Sequence, residues 1–338
     1  MANKKKWMIG AGVLFALLLL VGLTAYEVTR NRNGQSSREE MLAMMPETAS
    51  AVIYIDMADL RSSSFFTQLF RWAPKPELDR DYVQFLQATG FNYETDLDRV
   101  AVAIRRGQAE STALAIAEGK FDRKKIETFA SQFGSLKTAD GRTLFAVPLS
   151  GSNRKAYFTF LRPDRIAWAN DSSYFFNHPD KKTASEWREH IARVEGTPVF
   201  AVLRQDAAVT LPEVPGGLHS PQLAALLAQL QWISISAKPE GGVLRVVAEG
   251  ECLSEEIEHQ LKDLLSGLIV LAQMGLNDPK TRKQMAPEIR AGYLQVLQSA
   301  DVQQLDRGTS KAVRVVVDIT PKLLESAQNT SAAVDPAH

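Results

Sequence analysis

Asp56 and Asp59 are the residues that first suggest a reaction, because two carboxylates after an apolar, strand-length run can act as general acid and base. Together with His219 they form the candidate set for a hydrolase of unknown substrate. The same aspartates stand where a strand meets a helix, and aspartate at such a position typically caps the turn. The acids and the histidine are scattered along the chain, so a hydrolase is kept only as an alternative function.

No motif in the sequence is typical of nucleotide binding, metal binding or acyl transfer. The chain lacks G-x-x-x-x-G-K-[ST], G-x-G-x-x-G and G-x-S-x-G. Cys252 is the one cysteine, so it forms no intrachain disulfide, and we interpret it as a small buried apolar side chain. We expect no catalytic residue, no metal and no cofactor, and the sequence favours a protein that is not an enzyme. The histidines lack metal-ligand spacing and are His178, His190, His219, His259 and His338.

A loop with an unusual set of charges, GLNDPKTR from Gly275 to Arg282, is the candidate contact site. It follows a long apolar helix, and helix termination accounts for its Gly, Asn and Pro. Its charged side chains are suited to contact a protein partner in the envelope or lipid headgroups. The predicted contact residues are Asn277, Asp278, Lys280 and Arg282.

The elements that carry these residues follow a repeated order of strand, helix, hairpin, helix and strand. The letters AEG occur at 117–119 and again at 248–250, and the two copies are 131 residues apart. With the same offset Val102 falls on Ile233 and Phe133 falls on Leu264, so one register holds through hairpin and helix. The sequence therefore predicts an internal duplication.

The repeated order predicts an α+β fold made of two related lobes, each a mainly antiparallel sheet with helices on one face. The first lobe is predicted at 46–195 and the second at 196–325. The small and polar residues 326–338 predict a disordered tail.

Local signals predict where several helices begin and end. Asp122 and Ser254 are predicted N-caps of amphipathic helices, and Gly90 is predicted to end a helix. The uncharged run from Leu264 to Leu276 covers about 13 residues, which is too short to cross a bilayer. This run predicts a buried helix.

The N-terminal region carries the strongest signal for a membrane segment. Residues 7–26 hold no charge and follow three lysines at 4–6, and as a helix they would extend roughly 30 Å. We predict an inner-membrane anchor with a short basic tail over 1–30, which contacts the membrane through 7–26, and a polar linker over 31–45. Retention of the basic tail in the cytoplasm places the body in the periplasm or outside the cell. The alternative is a signal peptide cleaved near Ala25, which would give a secreted protein.

Composition is typical of a globular protein. Hydrophobic residues make up 45% of the 338 residues and charged residues 23%, which excludes collagen, a coiled-coil rod and wholesale disorder. The 39 basic residues balance the 39 acidic ones, so no general charge attracts nucleic acid, and we expect no nucleic-acid partner. No particular small-molecule ligand is indicated.

The body contains six stretches that are distinctive as a set: VIYIDMADLRSSSF, TGFNYETDLDRV, FDRKKIE, SPQLAALLAQLQWI, VVAEGE and LAQMGLNDPKTR. Together they resemble an uncharacterised family of bacterial membrane-anchored or exported proteins. The resemblance covers most of the chain from Pro46 to Leu324 and implies a bacterial envelope setting. It brings no assigned function and no functional residues.

These observations together predict a single-pass envelope protein whose duplicated body is a non-enzymatic binding or scaffolding module outside the cytoplasm. The second interpretation is a carrier of lipid or another hydrophobic ligand. In that interpretation the helix from Ser254 and the sheet would enclose an apolar pocket.

Overall fold

The computed structural model describes residues 36–67, 80–107, 110–133, 135–139, 142–148, 155–175, 184–205, 221–308, 310–321 and 323. The chain divides into two compact units, the first ending at Met44 and the second beginning at Met45. The predicted membrane segment 7–26 and the predicted tail 326–338 lie outside the described residues. Among the helices that are described, none combines the length and the apolar character needed to cross a membrane.

The second unit is built on one large antiparallel sheet, so the coarse prediction of an α+β fold is confirmed. Within the described part of the chain, twelve strands join in the order β11-β12-β10-β9-β8-β1-β2-β3-β7-β6-β5-β4. The strands are β1 (Ala51–Asp56), β2 (Leu97–Arg105), β3 (Thr112–Gly119), β4 (Ser135–Ala139), β5 (Arg142–Pro148), β6 (Lys155–Arg162), β7 (Arg165–Ala169), β8 (Val199–Arg204), β9 (Leu230–Glu240), β10 (Val243–Cys252), β11 (Asp301–Asp306) and β12 (Lys311–Ile319).

Helices connect and cover the strands. A helix at 36–43, α1, belongs to the first unit and lies within the segment predicted as a linker. Shorter helical turns lie at 64–67 and at Ser172–Phe175. The other helices are α2 (Met57–Ser62), α3 (Arg80–Thr89), α4 (Tyr93–Asp96), α5 (Arg123–Phe133), α6 (Ala184–Ala192), α7 (Pro221–Leu227), α8 (Glu255–Asn277), α9 (Pro279–Gln284) and α10 (Pro287–Ser299).

β1 and β8 form an antiparallel pair in the interior of the sheet, with four further described strands on the β8 side and six on the β1 side. Val52 lies opposite Val202 and Tyr54 lies opposite Phe200, and all four side chains are buried. The rings of Tyr54 and Phe200 stack with their centroids 5.4 Å apart. β-Branched and aromatic side chains suit such cross-strand pairs, which explains why these apolar sequences form interior strands of the sheet.

The strand order has a regular feature on either side of the β1–β8 pair. Read outward, one side runs β1, β2, β3, β7, β6 and the other runs β8, β9, β10, β12, β11. The AEG copies lie in β3 and in β10, and the aligned Val102 and Ile233 lie in β2 and in β9. Among the described strands, β5 and β4 extend the first side beyond β6.

The predicted helix ends are confirmed. The Asp122 carboxylate accepts a hydrogen bond from the Lys125 backbone N–H at 3.1 Å, and the Ser254 hydroxyl accepts one from the Ile257 N–H at 3.4 Å. The Lys125 N–H bond, which stabilises the charged form, lowers the pKa of Asp122, although desolvation acts in the opposite direction. Gly90 follows α3 with a φ of 70°, a conformation that favours glycine at a helix end.

A row of alternating charges crosses four neighbouring strands and was not foreseen from the sequence. Asp56 pairs with Arg99, Arg99 with Glu118, and Glu118 with Arg165 in the register of β1, β2, β3 and β7. The nitrogen-to-oxygen distances are 3.0 Å, 2.8 Å and 2.6 Å in that order. Arg165 is 1% exposed, so its buried positive charge has to be compensated by the neighbouring carboxylate. We call these four residues the charge row.

Glu249, the residue aligned with Glu118 at the 131-residue offset, also lies opposite an arginine. Its carboxylate accepts a hydrogen bond at 3.0 Å from Arg314 on β12 and one at 2.9 Å from Arg307. Glu249 is buried, as Glu118 is. The repeated AEG letters therefore mark, in both places, a buried carboxylate paired across strands.

Replacement of Glu118 by alanine should lower the free energy of unfolding by about 3–5 kcal/mol, because Arg165 would stay buried without this carboxylate. The matched control is Glu127→Ala, which removes a partly exposed pair with Arg123 on α5 and should cost about 0.5 kcal/mol or less. Urea unfolding of the full chain in a mild detergent measures both values. Equal losses for the two variants would contradict the importance assigned to the charge row.

Replacement of Gly119 by alanine should also destabilise the protein, by about 1–3 kcal/mol, through overpacking. A Cβ at this position would lie 2.1 Å from the Asp96 carbonyl oxygen, and this backbone atom also accepts a hydrogen bond from Lys120. Gly267→Ala is the control: nothing lies within 4 Å of its added Cβ, and it should stabilise helix α8 by up to about 1 kcal/mol. The midpoint temperature of thermal unfolding should fall for Gly119→Ala and rise for Gly267→Ala. A change in the same direction for both variants would be evidence against the close approach of Gly119 to the Asp96 backbone.

Candidate functional site

The two aspartates of the hydrolase hypothesis have structural partners. Asp56 is the N-cap of α2 and accepts a hydrogen bond from the Asp59 backbone N–H at 2.9 Å, so the capping interpretation is confirmed for Asp56. The other carboxylate oxygen of Asp56 pairs with Arg99. His219 lies outside the described residues.

In the described part of the chain, no group of three or more His, Cys, Asp or Glu side chains is arranged to hold a metal ion. His259 is exposed on α8. His190 is buried and stacks on Trp232 with the ring centroids 3.9 Å apart. Its Nδ1 lies 3.9 Å from the Glu251 carboxylate, which adds it to a polar cluster that the sequence did not predict.

Glu251 is the centre of that polar cluster. Its Oε1 accepts a hydrogen bond from the Ser310 hydroxyl at 2.8 Å and a further bond from the Arg193 guanidinium. Burial acts to lower the pKa of Arg193, but its bonds to Glu251 and to Glu189 outweigh burial and raise it. The cluster thus ties the residue that follows α6 to β10 by a pair of opposite charges.

Cys252 has the properties of a structural cysteine. The side chain is buried among Leu226, Leu230, Leu261 and Val313, which confirms the interpretation of a small apolar residue. Burial raises the pKa of the thiol to about 11, and the negative charge of Glu258 adds to the effect. A nucleophilic cysteine needs the thiolate, so this residue is unsuited to that role at neutral pH.

Helix α8 changes character along its length. In the first half Leu261 and Leu264 pack against the core. In the second half Val270, Leu271 and Met274 are 53%, 60% and 65% exposed. The prediction of a buried helix from Leu264 to Leu276 is therefore wrong for the second half. The physical reason is that the helix carries uncharged residues on all of its sides here, whereas neighbouring elements cover only one side of it.

The predicted contact residues lie just after this exposed stretch. The Asn277 side chain donates to the Gln273 carbonyl at 2.9 Å and ends α8. Asp278 caps α9 by accepting the Lys280 backbone N–H at 2.8 Å. Lys280 and Arg282 are exposed on α9. The structure thus separates the four into two residues that shape the turn and two that present charge to solvent.

Helix α10 runs back along α8 and completes a helical hairpin. Gln273 on α8 donates to the Leu297 carbonyl on α10 at 2.9 Å, and Arg290 reaches Asn277 at 3.5 Å, which shows that the two helices are antiparallel. Tyr293 lies between these two levels and is 43% exposed.

We define the hairpin tip as the exposed apolar and basic side chains at this end of the hairpin. Its apolar members were missed by the sequence reasoning, although an uncharged stretch too long for one buried stripe is a signal that indicates them. The hairpin tip consists of Val270, Leu271, Met274, Tyr293, Lys280, Arg282 and Lys283.

Charge is distributed unevenly along the hairpin. Residues 255–263 at its base carry four acidic groups and one lysine, whereas 264–277 carry none. Residues 278–299 carry four basic groups against Asp278 and Glu288. The base is therefore negative and the tip is positive.

Comparison with known proteins adds little to this picture. No family model and no curated protein matches the sequence. Among solved structures, crystal form III of TP0453 is similar with a TM-score of 0.43 and 8% identity, covering 87% of this chain and 98% of that chain. Crystal form IV of TP0453 has the same TM-score of 0.43 with 9% identity, covering 85% of this chain and 95% of that chain. Likeness at this level carries no argument about function.

The burial of Cys252 leads to a prediction about its reactivity. With a thiol pKa of about 11, alkylation of the native chain by iodoacetamide at pH 7.5 should be at least tenfold slower than in urea, where the thiol returns to its ordinary pKa. Mass spectrometry of timed samples measures both rates. Rapid stoichiometric labelling of the folded chain would show that the thiol is accessible and ionised.

Proposed function

We propose that the chain is a single-pass envelope protein whose body is a non-enzymatic binding or scaffolding module. In this proposal residues 7–26 anchor it in the inner membrane, and the body lies in the periplasm or outside the cell. The alternative is secretion after cleavage of a signal peptide. The support for the anchor is the uncharged 7–26 segment between basic residues.

The proposal includes the finer description of the body as two related lobes, 46–195 and 196–325, with helices on one face. It is supported by the matching strand order on the two sides of the β1–β8 pair. The buried carboxylates Glu118 and Glu249, separated by the constant offset, add independent support.

The single observation that carries the binding function is the exposed apolar patch on α8. Met274 lies four residues after Val270 and three after Leu271, so on the helix surface it is a neighbour of both. Scattered exposed apolar residues are ordinary, whereas a contiguous patch beside charged residues is typical of an interaction surface. A patch on the outside of the helix also favours surface contact over an enclosed ligand pocket for these residues.

A non-enzymatic role is supported by what the reactive groups do. Asp56 caps a helix and pairs with Arg99. Glu118 and Glu249 each pair with an arginine, and Cys252 is a buried thiol. Each of these groups stabilises the fold.

Fractionation and site-specific crosslinking of the natively expressed chain test the proposal. We expect the intact mass of the full chain in the membrane fraction. A photocrosslinking amino acid at Leu271 should capture a membrane component, and one at the exposed Gln260, near the base of the same helix, should not. A soluble chain beginning near Tyr26, or a substrate turned over by the purified protein, would contradict the proposal.

A further inference from the structure

We propose that the hairpin tip docks on an anionic lipid surface, with its apolar side chains among the headgroups and its basic side chains against their phosphates. This inference rests on the proposed function, because an anchored body is held beside such a surface.

The apolar part of the tip fits a membrane interface. Val270, Leu271 and Met274 stand more than half exposed on one side of α8, and residues 264–277 contain no charge that would oppose entry. Tyr293 presents an aromatic ring with a hydroxyl group, a combination that is enriched at the boundary between lipid and water.

The basic side chains of the tip favour an anionic lipid. Lys280, Arg282 and Lys283 are exposed directly after the apolar stretch, where they are placed to meet phosphates. Of the two acidic residues in 278–299, Asp278 accepts a hydrogen bond from the backbone of α9, and Glu288 lies in the first turn of α10. The tip therefore carries a net positive charge.

The opposite end of the hairpin determines how it approaches the surface. Glu255, Glu256 and Asp263 are exposed at the base of α8 and would be repelled by anionic lipid. Anionic lipid attracts the tip and repels the base, so the hairpin is oriented with its tip toward the membrane. A protein partner would not need this separation of charge along the helix.

The expected strength suits a tethered body. Each Lys or Arg near an anionic surface changes partitioning by about fivefold, so the three basic residues together contribute on the order of a hundredfold. Anchoring supplies a high local concentration of the surface, so this contribution is enough to keep the tip engaged.

The test uses the full chain reconstituted in vesicles, with an environment-sensitive fluorophore attached to Met274→Cys. Wild-type protein taken through the same labelling provides the blank for Cys252. We expect a blue-shifted emission and quenching by spin-labelled lipid in vesicles that contain phosphatidylglycerol, and neither effect in pure phosphatidylcholine. Molar salt should reverse both effects, because it screens the attraction.

Two further variants complete the design. The fluorophore on Gln260→Cys should report water in every vesicle, because this residue lies on the same helix near the acidic base. In the Met274→Cys protein, replacement of Lys280, Arg282 and Lys283 by glutamine should reduce the blue shift and the quenching to the values found in pure phosphatidylcholine vesicles. Circular dichroism checks that the variants keep the fold.

The outcomes separate this inference from the proposed function. A chain that does not float with any vesicle lacks the anchor, which contradicts the proposed function. A chain that floats while the Met274→Cys probe stays in water contradicts docking alone. A blue shift that increases with the density of protein in the vesicle and does not depend on lipid charge means that a second copy covers the tip. This result would overturn the inference.

Discussion

The pairing of buried Glu118 with Arg165 is the constraint that the rest of the sheet has to meet. Both charges lie in the interior, where an unmatched charge costs several kcal/mol, so the strands that carry them are held in the register that places them opposite each other. A slip of one residue would move each side chain to the other face of the sheet. Asp56 and Arg99 extend the same row to β1, and Asp56 at the same time caps α2, so strand register and helix position are coupled.

The second side of the sheet uses the same device and adds a feature of its own. Glu249 pairs with Arg314 across β10 and β12, as Glu118 pairs with Arg165 across β3 and β7. After β3 the chain forms the 11-residue helix α5, whereas after β10 it forms the 23-residue helix α8. The longer helix continues past the residues that the core covers and then turns through α9 into α10. The hairpin tip is the consequence of this extension.

This arrangement divides the molecule into a part that uses its polar groups internally and a part that presents them. In the charge row and around Glu251 the ionisable side chains satisfy one another, and their free energy goes into holding strands and helices together. At the hairpin tip apolar and basic side chains face solvent, where they are available to another surface. The physical contrast between the two regions is the basis for proposing that the body has a binding role.

Local sequence patterns determined the α+β class, the strand at Ala51–Asp56, the caps Asp122 and Ser254 and the burial of Cys252, because each depends on residues close together in the chain. The polar strand β11 and the helices α9 and α10 lack a strong periodic pattern, and they were not predicted. Only the tertiary structure decided the charge row and the exposure of Val270, Leu271 and Met274. Glu118 and Arg165 are 47 residues apart, and their pairing follows from strand order, which no local pattern encodes. The exposed face of α8 likewise depends on which neighbours pack against it, and an apolar sequence has the same letters whether its side chains meet a core or solvent.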